Sequence, residues 1–437
     1  MTKVLVRGPA LTRSGYGEHV RFVLRSLRQL ESDIDLYVIP VGWGQTGWVI
    51  DNNEERDWLD ALIKKTTVAV REKQTQFDVS IQVTIPNEWE KLAPVNIGVT
   101  AGIETTKISP QWVEKSNMMD LVIVPSEHSK DIMVDTTHHI TVTKTDQVID
   151  NYRCTTPVEV VSYPVKKFKD LDLDLKLNTD FNFLAVAQWG PRKNIVNCIQ
   201  WFIEEFIDQE VGLVLKTNLT KNSLLDRKKI TNILKNVLAK EDYKNRKCKI
   251  YLLHGDMTDQ EIHQLYRNPK IKAFLTTTHG EGFGLPLFEA AYEGMPIIAP
   301  NWSGHVDFLH MPIKNKKGKV KNKAMFSKVD HKLQLIQKEA VWDGVIQADS
   351  MWCYPDQGSF KIKMREIYKD YGRFKKQAID LQKYLLDNLT ADQQYEKMNS
   401  LFLPYMASDL KISDTNNLMT QKEVEDWIND LDEITEV

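Results

Sequence analysis

Short apolar runs alternating with amphipathic helical stretches are the feature that most restricts this chain, because the alternation occurs twice. Runs suited to strands lie at Lys3–Arg7, Asp35–Ile39, Val79–Val83, Asn96–Thr100, Leu121–Val124 and Val158–Ser162. Between the first two, Gly17–Leu30 places Val20, Val23, Leu24 and Leu27 on one helical face. A charged stretch, 166–180 (KKFKDLDLDLKLNTD), interrupts the series and reads as a linker. The series restarts at Phe181, with strands expected at Phe183–Ala187, Gly212–Lys216, Lys249–Leu253, Ala273–Thr277 and Pro296–Ala299. The helix after the first of these carries Ile195, Ile199, Phe202 and Phe206 as a core-facing stripe. Strands separated by helices pair in parallel, so two α/β domains are expected. A chain of 437 residues is also too long for one ordinary core. Ligands bind outside the carboxyl ends of parallel strands, which places the expected site in a cleft between the halves.

Composition narrows the function classes. A net charge of −3 argues against a wholly basic nucleic-acid binder. No apolar run approaches about eighteen residues, so no membrane-spanning helix is expected. The N-terminus enters an apolar strand directly, without the longer apolar core of a signal peptide. Cys154, Cys198, Cys248 and Cys353 lack metal or redox spacing and read as reduced thiols, which suggests a cytoplasmic protein. Asp170, Asp172 and Asp174 form overlapping D-x-D patterns, but in a charged linker they read as solvated rather than metal-binding. His138 and His139 lack a partner at metal-ligand spacing and read as surface polar residues. Six lysines crowd the ten residues from Lys314 to Lys323. Such runs are mostly mobile solvated loops; the alternative is peripheral contact with a phosphate-bearing acceptor, a nucleic acid or an anionic membrane. The block from Ser350 to Tyr368 reads as a turn followed by a helix. The acidic end from Ser408 contains one short amphipathic helix, Thr420–Leu431.

The chemistry concentrates in HGEGFGLPLFEAAY, from His279 to Tyr292. Glu281 sits in a glycine-bracketed loop, and Glu289 follows eight positions later, inside an expected helix. Gly280, Gly282 and Gly284 would let the backbone approach a ligand closely. Pro286 suits a helix first turn, where its missing N–H costs nothing. The amides of Phe283, Gly284 and Leu285 would then point from a helix N-terminus, which favours an anion such as a diphosphate. Two carboxylates beside such a cradle suit the hydroxyl groups of a nucleotide-sugar.

Glu281-Gly-Phe-Gly-Leu-Pro-Leu-Phe-Glu289 resembles the E-x7-E motif of the family 4 retaining glycosyltransferases, and Gly294-Met-Pro-Ile-Ile-Ala-Pro300 resembles the strand that follows it there. The likeness is strong over 181–310, present in outline over the first 165 residues and weak beyond. It implies the GT-B architecture: two Rossmann-like β/α/β domains facing across a cleft, with C-terminal helices crossing back to the first. The implied division is an acceptor-side domain at 1–165, a nucleotide-sugar domain at 166–384, and a crossover helix with acidic tail at 385–437. Glu281 would contact hydroxyls of the transferred sugar and Glu289 the ribose.

Gln188-Trp-Gly-Pro-Arg192-Lys193-Asn194 resembles the phosphate-binding R-K segment of that family, on a shorter loop that lacks the usual G-R. Arg192 offers a bidentate fork and Lys193 a point charge to a leaving diphosphate. The loop from Arg7 to Gly17 resembles the family's glycine-rich first loop, with Ser14, Gly15 and Gly17 expected to bind donor and Arg13 to add charge. Glu104 or Thr105 stands near where many members carry a sugar-contacting histidine. Ser126 resembles a mainly structural position, and His128 reads as a helix-start residue rather than a catalyst. Lys216 ends a strand facing the cleft. Trp43 and Trp48 are expected on a loop near the domain face.

The resemblance implies metal-independent transfer of a hexosyl or pentosyl group from a UDP-, GDP- or ADP-linked donor to an acceptor hydroxyl, with retention of anomeric configuration and no further cofactor. The acceptor stays open among a glycan, a lipid, a protein, a metabolite and a modified nucleic-acid base, as does the oligomeric state. A nucleotide-sugar epimerase of the same shape, a phosphorylase, and a non-catalytic sugar-nucleotide or glycan-binding module are the alternatives.

Overall fold

The computed structural model describes residues 1–406 apart from 51, 74, 143–146 and 316, so the expected helix at Thr420–Leu431 and Lys316 lie outside the described residues. The chain begins with β1 (Thr2–Gly8), α1 (Gly15–Arg28), β2 (Ile34–Pro40), α2 (Glu54–Arg71), β3 (Val79–Val83) and β4 (Val95–Val99). It continues through α3 (Pro110–Ser116), β5 (Leu121–Val124), α4 (Glu127–Asp135), an antiparallel hairpin of β6 (His138–Val142) and β7 (Gln147–Tyr152), and β8 (Val158–Val160). Six strands form one parallel sheet in the order β2-β1-β3-β4-β5-β8. Helix α1 buries Val20, Val23, Leu24 and Leu27 completely against this sheet. His138 and His139, which the sequence alone marks only as polar surface, belong to this hairpin. His139 pairs with Asp150 across it, and His138 Nε2 lies 2.9 Å from the Ile108 carbonyl.

The second sheet collects β9 (Asn182–Gln188), β10 (Gly212–Asn218), β11 (Lys249–Leu253), β12 (Ile271–Leu275) and β13 (Ile297–Pro300). Between them run α5 (Ile195–Phe206), α6 (Leu224–Leu238), α7 (Asp259–Arg267) and α8 (Leu285–Tyr292). The order is β11-β10-β9-β12-β13, with a short sixth strand at the edge, Ser327–Val329. Chain order reverses between β9 and β12, and the crevice beyond their carboxyl ends is the switch point where doubly wound sheets bind ligands. The loop after β9 carries Arg192 and Lys193, and the loop after β12 carries Glu281. Strand β12 starts two residues earlier than its apolar run suggests, at Ile271. The following residues, Thr276–Gly280, leave the sheet to build the site.

Beyond β13 come β14 (His310–Lys314), β15 (Val320–Ala324), β16 (the edge strand Ser327–Val329), β17 (His331–Leu335) and β18 (Met351–Pro355). The lysine run is therefore not a plain loop. Strands β14 and β15 pair antiparallel, with Ile313 opposite Lys321 and Met311 opposite Lys323, while the lysine heads stay in solvent. Lysine stems can cover apolar neighbours with the ammonium solvated, so a strand of this composition is affordable. The block at Ser350 likewise opens with a strand rather than a turn, because β18 pairs with β17.

Helices α9 (Gln357–Lys369), α10 (Tyr371–Asn388) and α11 (Ala391–Met406) end the described chain. Helix α10 packs on α8, and α11 returns to the first domain beside α1. There Asn399 Nδ2 donates to the Ser26 carbonyl at 2.9 Å, Tyr405 donates to the Asp120 carbonyl, and Thr2 donates to Met406. The linker is pinned rather than loose. Asp170 accepts from Arg267 at 2.9 Å, and Lys166 bridges Glu18 at 2.8 Å and Asp259 at 3.2 Å. No described helix is long and apolar enough to cross a membrane.

Candidate active site

One ionic cluster occupies the switch point. The segment 190–194 forms a 3-10 turn over Pro191–Lys193 and ends at Asn194, whose φ of +53° starts α5. Thr277 Oγ1 donates to the Asn194 carbonyl at 2.9 Å, and His279 N donates to the Arg192 carbonyl at 2.8 Å. These bonds clamp the turn to the end of β12. Lys193 Nζ then stands 2.5 and 2.7 Å from the Glu281 carboxylate oxygens, and Arg192 Nη1 stands 3.0 Å from Oε2. The other arm of Arg192 reaches Glu104 Oε1 at 3.2 Å, from the first domain. Burial alone would raise the Glu281 pKa, but Lys193 and Arg192 overcome it and hold the carboxyl down at about 2. Burial, with Arg192 beside it, lowers the Lys193 pKa.

Glu281, Glu289, Arg192, Lys193, Lys216 and Glu104 all line one interdomain cleft of about 1590 Å³. Gly282, Phe283, Gly284 and Leu285 share its wall, and Arg13, Ser14 and Gly15 of the first loop stand on its other side. Glu289 is half-buried, desolvation raises its pKa, and it accepts from the Tyr266 hydroxyl at 3.0 Å. Lys216 lies inside β10, which runs on to Asn218 rather than ending at the lysine, and its Nζ donates to the Gly255 carbonyl at 2.6 Å. Helix α8 begins at Leu285 with Pro286 in its first turn, as its sequence predicts; its first N–H groups have no intrahelical partners, and Gly284, Leu285 and Pro286 line the cleft.

Several expected roles need correction. A Cβ on Gly280 would lie 2.5 Å from the Glu104 carbonyl, and one on Gly282 would lie 2.0 Å from the Ala101 carbonyl. The absent side chains of these two glycines admit the first domain's backbone. Gly284 differs: its φ of +94° is a conformation that side chains other than glycine's resist. The Phe283 side chain is buried against Tyr163 and Phe308. Gly17 does not line the cleft. Its amide caps on Ser14 Oγ at 2.9 Å, and a Cβ there would meet the Thr12 carbonyl at 2.1 Å. Ser14 is thus the N-cap of α1 as well as a cleft residue. Thr105 is buried and donates to the Lys107 carbonyl, leaving Glu104 as the one of the pair in the cleft. His128 is held edge-on to Trp302, and burial lowers its pKa to about 4. Ser126 caps α4 and also donates to the Gly282 carbonyl at 2.6 Å across the domains.

Sequence reasoning missed Tyr16, Lys166 and the segment around Trp342, which also line the cleft. The Tyr16 hydroxyl accepts from Ala101 N at 3.2 Å and lies 2.7 Å from Thr100 Oγ1. Its position inside the first loop was a usable signal. Lys166 gave none, since it opens a run of charged linker residues.

No family model and no curated protein matches the chain. Solved structures do. Sucrose-phosphate synthase from Thermosynechococcus elongatus aligns with a TM-score of 0.58 at 11% identity, covering 94% of this chain and 100% of that one. A glycosyltransferase from Rickettsia africae aligns at 0.54 and 14%, covering 93% and 99%. HepE from Anabaena, solved with UDP and glucose, aligns at 0.52 and 11%, covering 92% and 100%. The chain has the GT-B fold, two parallel-sheet α/β domains with helices at the C-terminus.

Proposed function

We propose that this protein is a retaining glycosyltransferase that moves a sugar from a nucleotide-diphosphate donor to an acceptor hydroxyl. The observation that carries the reading is that Glu281, Glu289 and the Arg192–Lys193 pair line one cleft at the switch point of the second sheet. Arg192 and Lys193 supply positive charge to the diphosphate as its bond to the anomeric carbon breaks, and the α8 N-terminus adds amide dipoles. The reading is metal-independent because these groups can neutralise that charge themselves. Glu281, held ionised, accepts hydrogen bonds from hydroxyls of the transferred sugar, and Glu289 does so from the ribose. Front-face attack, with the leaving phosphate taking the acceptor proton, gives retention without a protein base. The GT-B fold and the UDP-containing complex of HepE support a nucleotide-sugar as donor.

A thermal-shift panel of UDP-, GDP- and ADP-sugars tests the reading. At least one is expected to raise the melting temperature and to be slowly hydrolysed. A flat response across the panel, with no hydrolysis, would sink it. Lys193→Ala is expected to weaken nucleotide-diphosphate binding by about 10- to 100-fold, the range of roughly 1.4–2.8 kcal/mol for one charge-assisted contact. Calorimetry showing equal affinity in variant and parent would remove Lys193 from the phosphate site.

A further inference from the structure

The cleft is chemically two-ended. Arg13, Lys216, Asn222 and Asp256 contribute polar lining, whereas Ile85, Ile103, Trp112, Trp342, Val345 and Ile346 contribute apolar lining, of which Ile103, Trp112 and Val345 are buried and Trp342, Ile85 and Ile346 present the accessible surface. Three of these six apolar residues belong to the segment 336–350, which leaves the second domain between β17 and β18 and docks on the first. The Gly344 carbonyl accepts from Ser109 Oγ at 2.6 Å and from Asn87 Nδ2 at 3.0 Å. Thr106 N donates to the Met351 carbonyl, Met351 N donates to Thr106 Oγ1, and Lys107 pairs with Asp349. Gly344 has a φ of +71°, and a Cβ there would sit 2.5 Å from Gln111 Oε1. Val345 joins Ile103 and Trp112 in one buried cluster, with Ile85 and Ile346 packed against it.

The same segment is tied to the ionic cluster. At its root, Cys353 N donates to the His279 carbonyl at 3.0 Å, and the His279 ring stacks on Trp352. Its 3-10 turn, Lys338–Ala340, lies against the Pro191–Lys193 turn. The apolar end therefore adjoins Arg192 and, through its neighbour Ile103, Glu104. Trp342 nevertheless stays 54% exposed. The polar side chains beneath the segment are already used: Asn87 Nδ2 donates to Gln111 Oε1, Trp112 Nε1 donates to Asn87 Oδ1, and Ser109 Oγ donates to Gly344. With Trp112, Ile103 and Val345 buried beneath, this end offers the Trp342 ring and the methyl groups of Ile85 and Ile346, so it suits a flat weakly polar ring better than a hydroxyl-studded one.

We propose that the segment 336–350 forms the acceptor subsite, and that Trp342 stacks on a flat apolar ring carried beside the accepting hydroxyl. The proposal rests on the transferase reading and adds the class of acceptor. Two arms test it separately. Without any donor, saturation-transfer NMR is expected to show binding of benzyl alcohol, weaker binding of cyclohexylmethanol and none of methyl β-glucoside. The benzyl alcohol signal is expected to vanish in Trp342→Ala and return in Trp342→Phe. With UDP-glucose, or whichever sugar the donor panel selects, Trp342→Ala is expected to raise the KM for benzyl alcohol at least tenfold while the donor KM moves less than twofold. Methyl β-glucoside binding as well as benzyl alcohol, or an unaltered aryl signal in Trp342→Ala, would overturn the subsite. A donor panel without response, beside an intact aryl signal that depends on Trp342, would overturn the transferase reading and leave the ring site standing. Exposure of Trp342 makes loss of folding in the variant an unsuitable explanation, and a melting curve superimposable on the parent's checks this.

Discussion

Glu281→Gln is expected to separate nucleotide binding from turnover. In the protein as it stands, one buried carboxylate is shared by Lys193 at 2.5 Å and Arg192 at 3.0 Å. An incoming diphosphate must draw on those same cations in the presence of a like charge. Two like unit charges about 4 Å apart repel by about 4 kcal/mol at an effective dielectric near 20. Glutamine keeps the shape and removes the charge, so UDP is expected to bind at least as tightly as to the parent. Transfer should nevertheless fall by about a thousandfold, roughly 4 kcal/mol, because the sugar hydroxyls lose their ionised acceptor and the cations lose their orientation. Calorimetry with UDP and a turnover assay read the two effects apart. Retained transfer, or a loss of UDP affinity matching the loss of rate, would refute the role given to Glu281. Melting temperature needs to be followed as well, since removing one partner of a buried ion cluster costs about 3–5 kcal/mol.

Gly282→Ala is expected to be as damaging without touching any charged group. The added methyl would sit 2.0 Å from the Ala101 carbonyl, and carbonyl oxygens at that distance cannot yield as the end of a flexible side chain can. Gly304 is equally close on the other flank, where a Cβ would stand 1.9 Å from the Gly282 carbonyl. The least costly relief is for the two domains to move apart, which breaks the Ser126–Gly282 bond and draws Glu104 away from Arg192. Overpacking of this kind costs about 1–3 kcal/mol or more. Transfer is expected to fall at least a hundredfold, with a larger radius of gyration by small-angle scattering. UDP affinity is expected to change by much less, because Lys193 and the α8 N-terminus remain within the second domain. A variant as compact and active as the parent would show that the two domains need not meet so closely at this point.

How much was legible in advance differs by level. Both parallel sheets followed from apolar runs spaced by amphipathic stretches, since burial on both faces of a strand and on one face of a helix leaves its period in the residues. The β14–β15 pair left no such trace, because solvated strands rich in lysine lack that period; β17–β18 was missed because β17 is mostly exposed and β18, with Trp352 and Cys353 buried side by side, does not alternate. Within the cleft, Glu281 and Glu289 were visible through the glycine-bracketed segment and helix start they flank and through its resemblance to a known motif. The meaning of the surrounding glycines was not. Freedom to approach a ligand and freedom to approach another domain require the same absent Cβ, so residue type could not foretell that Gly282 lies against the Ala101 carbonyl. Gly17 illustrates the same ambiguity within a single loop.

From residues alone came the periodicities, the helix start at Pro286, and the concentration of cations and carboxylates in two short segments. These depend on neighbours within a few positions along the chain. Only the tertiary structure decided that Arg192 reaches Glu104 and that α11 closes on α1. It alone also turned a stretch between two short strands, carrying Trp342, into a wall of the cleft. Those contacts join residues far apart along the chain, up to 373 positions for Asn399 and Ser26, and which surfaces meet depends on the packing of whole domains, a property no local pattern encodes.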